Sequence, residues 1–123
     1  MDLAAIQARY LRDALPTRLG GLAANLARIV SFSRNTANRE IVEQMIKESQ
    51  WFIEWTAPEM DVDTAAILVE LQLQLAQWQR CLAGMWNDAE KREAIMEQSR
   101  QWSKRVLQMS GLLHENAPHG KAA

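Results

Sequence analysis

Residues 62–86 read VDTAAILVELQLQLAQWQRCLAGMW, and whether this stretch is a strand or a helix decides the fold. Its middle, VELQLQLAQWQ, alternates apolar and polar side chains as a half-buried strand would. Leu, Gln, Glu and Ala are however good helix formers, and Val69 is the only β-branched residue in that middle. Thr64, Leu68, Leu71, Leu75, Trp78, Leu82 and Met85 also recur at steps of four and three, which lines one side of a helix from end to end. No strand partner or glycine-rich hairpin occurs elsewhere in the chain. The stretch reads as helix.

That helix carries a second stripe. Val62, Ala66, Val69, Leu73, Ala76, Arg80 and Ala83 repeat the same rhythm at roughly 160° from the first. Gln72, Gln74, Gln77 and Gln79 fall between the two. A helix apolar on nearly opposite sides is expected to bury both. The Leu and Trp side has the larger volume and should face the core, whereas the Ala-rich side lets another backbone approach closely. Two covers are open to it: the N-terminal segment, where Leu3, Ile6 and Tyr10 form a short stripe, or a second copy of the chain.

Working outward, helical spacing recurs throughout. Leu15, Leu19, Leu22, Leu26, Ile29 and Ser33 line one face, interrupted at Pro16, where a break or kink is expected over 15–17. Asn35 or Thr36 can cap the next helix, with Ile41, Val42, Met45, Ile46, Phe52 and Ile53 on one side, ending before Pro58. Asp61 or Asp63 caps the helix of the opening stretch. Asn87, with Glu90 three residues on, resembles a capping box for a last helix carrying Ile95, Ser99, Trp102, Val106 and Met109. Gly111 is placed to end that helix in a left-handed cap, with Leu112 folding back. The fold class predicted is all-α: an up-down four-helix bundle near 17–34, 36–56, 62–86 and 88–113, with an additional short N-terminal helix.

The 123 residues suit one domain, expected over 1–115 and followed by a flexible C-terminal tail at 116–123. A net charge of -1 creates no field that would draw nucleic acid or an anionic membrane. The charges are nonetheless grouped: residues 1–39 carry six Arg against Asp2 and Asp13, and residues 40–70 carry eight carboxylates against Lys47. The first residues lack the basic then apolar layout of a signal peptide, and the longest apolar run, 65–69, is far too short to span a bilayer. A soluble cytoplasmic protein is expected. Cys81, the single cysteine, excludes an intrachain disulfide and reads as a small buried hydrophobe.

Chemistry-bearing patterns are sparse. Glu59, Asp61, Asp63 and Glu70 match four positions of a calcium loop, but Thr64 stands where the sharp turn needs glycine, and helix capping explains the acids better. His114 and His119 are too few for a transition-metal site and read as solvated. No Glu followed three residues later by His marks a di-iron bundle, and RLGGLA lacks the Lys and Ser or Thr of a phosphate loop. With no histidine outside the tail, a Ser or Cys81 nucleophile has no evident base. Catalysis would need carboxylates gathered in a cleft, for instance Glu40, Glu43 and Glu48. No cofactor, metal or catalytic residue is assigned.

Five tryptophans remain. Trp78 and Trp102 lie on core stripes. Trp51 projects well off the apolar face of its helix and Trp55 borders the same flank, so each is covered by a neighbouring segment or offered to a partner. The function expected is a non-enzymatic helical interaction or scaffold module that self-associates, a dimer being favoured, with Trp51, Trp55, Val69, Leu73 and Ala76 as interface candidates. The alternative is a carrier or sensor of a small apolar ligand, held between Trp78, Met85, Trp86, Trp102 and Met109. Neither reading involves nucleic acid or membrane.

Overall fold

The structure is a computed structural model that describes residues 2–111. It is all-α, with five helices: α1 (Leu3–Leu11), α2 (Leu15–Ser33), α3 (Arg39–Thr56), α4 (Val62–Met85) and α5 (Ala89–Ser110). Residues 62–85 are thus helical, as the longer periodicity requires. Leu112, His114, His119 and the expected tail 116–123 lie outside the described residues.

Local chemistry sets the helix ends. Asp2 accepts the Ala5 amide at 3.1 Å and starts α1. Pro16 does not kink a helix but sits in the first turn of α2, where a missing N–H costs nothing, and the chain breaks before it. Asn35 caps a single 3-10 turn, Thr36–Asn38, by accepting the Ala37 amide at 2.9 Å, so α3 begins three residues later than its spacing suggests. Asp61 caps α4 through the Thr64 amide, and side-chain and backbone hydrogen bonds from Thr64 hold its carboxyl below the usual carboxylate range. The cap of α5 is Asp88 rather than Asn87. Its carboxylate accepts the Glu90 and Lys91 amides, and a full negative charge suits the positive end of the helix. Gly111 closes α5 with φ 79, a left-handed conformation in which glycine has no Cβ penalty.

Side-chain hydrogen bonds give the register of each helix pair. Asn25 reaches Glu48 and Asn38 reaches the Phe32 carbonyl, so α2 and α3 run antiparallel. Gln72 reaches the Gln50 carbonyl and Trp86 that of Thr36, which fixes α3 and α4 likewise. Trp78 with Gln98 and Glu70 with Arg105 do the same for α4 and α5. The most intimate pair is α2 with α5. Ser99 Oγ donates to the Leu26 carbonyl and Ser103 Oγ to the Ala23 carbonyl, both at 2.8 Å. Small side chains here let the two backbones approach, and each carbonyl uses its second lone pair.

The core lies inside this ring. Leu19, Leu22, Leu26 and Ile29 of α2, Val42, Ile46 and Ile53 of α3, Leu68, Leu71, Leu75, Trp78 and Leu82 of α4, and Ile95 and Val106 of α5 are all buried. Ser33 is the exception among buried hydroxyls, with no partner for its Oγ among the described residues.

The short α1 removes one of the two covers open to the second stripe of α4. It lies on α3, not on the second stripe of α4. Tyr10 stacks on Phe52 with centroids 4.0 Å apart and 7° between the planes, and touches Trp55 at 5.9 Å. Its hydroxyl bridges the Arg18 carbonyl and Thr56 Oγ1 at 3.0 and 2.9 Å. Arg18, one of the six arginines of residues 1–39, is buried and ties three segments together. Its guanidinium donates to the Asp13 and Leu11 carbonyls and, at 2.7 Å, to Glu59 beyond α3. An aromatic stack and a buried cation therefore commit α1 to this end of α3.

Candidate functional site

With α1 placed elsewhere, the second stripe of α4 is open within the single chain. Val62 is 83% exposed, Leu73 69% and Val69 53%, whereas Leu68, Leu71, Leu75 and Leu82 on the opposite side are each 0% exposed. Ala66, Arg80 and Ala83 are exposed as well, and Ala76 is half-buried. Heptad spacing from 62 to 83 keeps these residues in one row roughly 32 Å long. Single surface leucines are ordinary in proteins. Apolar side chains aligned along one helix face, as Val62, Val69 and Leu73 are here, are what suggest a docking surface.

One border of the row is the junction with α3. A groove of about 220 Å³ lies there, lined by Lys47, Gln50, Trp51 and Glu54 of α3 and by Gln72 and Gln79 of α4. Trp51 is half-buried and stacks on Trp55 at 5.9 Å. Trp55 in turn is partly covered, touching Phe52 and the Tyr10 of α1. Of the two tryptophans, Trp51 faces the groove beside α4, and Trp55 links it to the α1 stack. The other border is polar: Gln74 and Gln77 edge the junction with α5, and Arg105 reaches Glu70 at 3.7 Å. The interface candidates are therefore neighbours, except that Trp55 sits one step inward.

The residues of the ligand alternative do not converge. Trp78 and Met85 share an open groove of about 230 Å³ between α4 and α5, together with Cys81 and Ile95. Cys81 is half-buried at that groove, not the fully buried hydrophobe expected, because it stands on the α5 flank of α4 instead of on the core stripe. Trp86 is buried at the far end, donating to the Thr36 carbonyl at 2.7 Å, with Arg92 stacked over its ring. Trp102 is half-buried beneath Arg105 and lines a different groove, with Gln74, Gln98 and Gln101. Met109 lies a further two turns along α5 and lines neither groove.

Nor do the carboxylates gather. Glu40 and Glu43 border an open groove with Gln44, Lys47 and Gln79, while Glu48 turns to the other side of α3 and accepts from the buried Asn25 at 3.0 Å. Among the described residues no group of three His, Cys, Asp or Glu side chains is placed to hold a metal ion, and no helix is long and apolar enough to cross a membrane. Asp61, the centre of the calcium-like pattern, is engaged as the α4 cap.

One element escaped sequence reasoning, and one alternative left open by it turns on the fold. The Arg18 clamp has no local signal, because its partners come from turns and from a glutamate 41 residues away. The partial cover of Trp55 depends on where α1 docks, which a nine-residue stripe cannot specify. In comparison with known proteins, no family model, no curated protein and no solved structure gives a significant match to this chain.

Proposed function

We propose that this protein is a non-enzymatic helical interaction module of the cytoplasm that self-associates through the open face of α4, with Trp51 at the edge of the contact. One observation carries the reading: Val62, Val69 and Leu73 stand in a row, more than half exposed, on a helix whose other side is the bundle core. Covering such a row stabilises by about 25 cal/mol for each Å² of apolar surface removed from water. A partner helix with small and branched residues fits it best, because the half-buried Ala76 and the exposed Ala66 and Ala83 leave room for a backbone. The chain itself supplies such a helix.

Sedimentation velocity of the full chain across a concentration series tests this. A shift from one to two copies by high micromolar concentration is expected, with Val69→Glu holding the protein as a single copy at unchanged helicity. A wild-type chain that stays a single copy throughout that range removes the proposal.

A further inference from the structure

Resting on the self-association just described, we infer that two copies pair through α4 in antiparallel register, Arg80 of each meeting Glu70 of the other. The charges on α4 are the starting point. Within the helix Asp63 and Glu70 lie in the first half and Arg80, its one basic residue, in the second. Arg80 is exposed, stands in the apolar row, and makes no ion pair among the described residues. It cannot turn back to Glu70, because ten residues of helix separate them by roughly 15 Å.

A cation inside an apolar seam needs a counter-charge from whatever covers it. Parallel pairing of two copies sets Arg80 against Arg80, two like charges at a desolvated contact. Antiparallel pairing with Leu73 opposite Ala76 of the second copy sets Val69 opposite Arg80 and Ala66 opposite Ala83, so every row position from 66 to 83 finds a partner. Arg80 then lies beside Glu70 of the second copy. On the flanks Gln72 faces Gln79, where two amides can exchange hydrogen bonds and no like charges meet. The intrachain contact of Glu70 with Arg105 is long, 3.7 Å, and both side chains are about half exposed, so the carboxylate can accept a second cation. The row is therefore complementary to its own reverse.

Distance measurement between spin labels separates this arrangement from its rivals. The label is placed at Asn87→Cys, just beyond the seam, in full-length protein carrying Cys81→Ser. In the antiparallel register Asn87 lies opposite Val62 of the second copy, which puts the two labels about 40 Å apart, against about 20 Å or less for parallel helices. A charge exchange gives the second readout. Arg80→Glu alone and Glu70→Arg alone should each weaken association at least about five-fold, and the double variant should restore it to within about two-fold. All three sites are exposed, so an unchanged unfolding midpoint at low concentration checks the fold. A short label distance, or a double variant as weak as the singles, overturns the antiparallel register and leaves self-association standing. Absence of dipolar coupling at high micromolar protein overturns both.

Discussion

Leu73 and Leu71 stand two residues apart on α4, and the same truncation at each should have opposite consequences. Full burial of a leucine side chain stabilises by about 1.5–3 kcal/mol. Because Leu73 is 69% exposed in the single chain, about 1–2 kcal/mol of that remains available to a partner. In a two-fold dimer each copy contributes once, and alanine keeps the β-carbon. Leu73→Ala is thus expected to weaken association by about 1.5–3 kcal/mol, or about 10- to 150-fold in Kd. Its effect on the folding of a single copy should stay within about 0.5 kcal/mol, since little packing is lost and alanine favours the helix. Leu71 is 0% exposed, and Leu71→Ala opens a cavity in the core, costing about 2–5 kcal/mol of folding stability. Sedimentation equilibrium measures the first quantity and urea unfolding at low micromolar protein the second. If Leu73→Ala lowered the unfolding free energy as much as Leu71→Ala, or left the Kd unchanged, the assignment of one face to the core and the other to a partner would be refuted.

Three further outcomes follow from the packing. Ser99→Ala should cost about 1 kcal/mol in urea unfolding by removing the donor to the Leu26 carbonyl, whereas Ser33→Ala, which deletes an unpartnered buried hydroxyl, should be neutral or stabilising; equal losses would contradict the α2–α5 contact. Burial pushes the Tyr10 phenol up to about 12 from its usual 10, so its neutral form is the one the fold favours. The stability this supplies is intact below pH 10 and is lost as pH rises through 12. At pH 11 wild type should have given up about 1 kcal/mol more than Tyr10→Phe, relative to each protein at pH 8, and parallel pH curves would count against a buried phenol. A Cβ built on Gly21 comes no closer than 3.9 Å to the Tyr10 ring, so Gly21→Ala should raise stability by about 0.5–1 kcal/mol; a lower melting temperature would indicate tighter α1 docking than described.

Much of this architecture was legible before any coordinates. Four-and-three spacing separated the core side of α4, Leu68 to Leu82, from the row that proves exposed, and capping chemistry located Gly111 and narrowed the start of α4 to Asp61 or Asp63. Those signals are local: a helix repeats every 3.6 residues whatever surrounds it. Contacts between distant segments were not legible. Nothing near Arg18 distinguishes it from the exposed Arg28 or Arg34, since its burial depends on carbonyls in the α1–α2 turn and on Glu59. The seat of α1 is another such case, decided by Tyr10 meeting Phe52 and Thr56 rather than by its own stripe. At the candidate site, Val69 and Leu73 could be named from spacing, but whether they stay open required knowing that α1 goes elsewhere.

The serine contacts between α2 and α5 join residues 73 and 80 positions apart. During synthesis at about 5–20 residues per second, the greasy side of α2 therefore leaves the ribosome about 4–15 s before the helix that will shield it. For that interval α3 can already cover part of α2, but the side of α2 that will meet α5 stays without its partner, so this contact is the last of the α2 contacts to form.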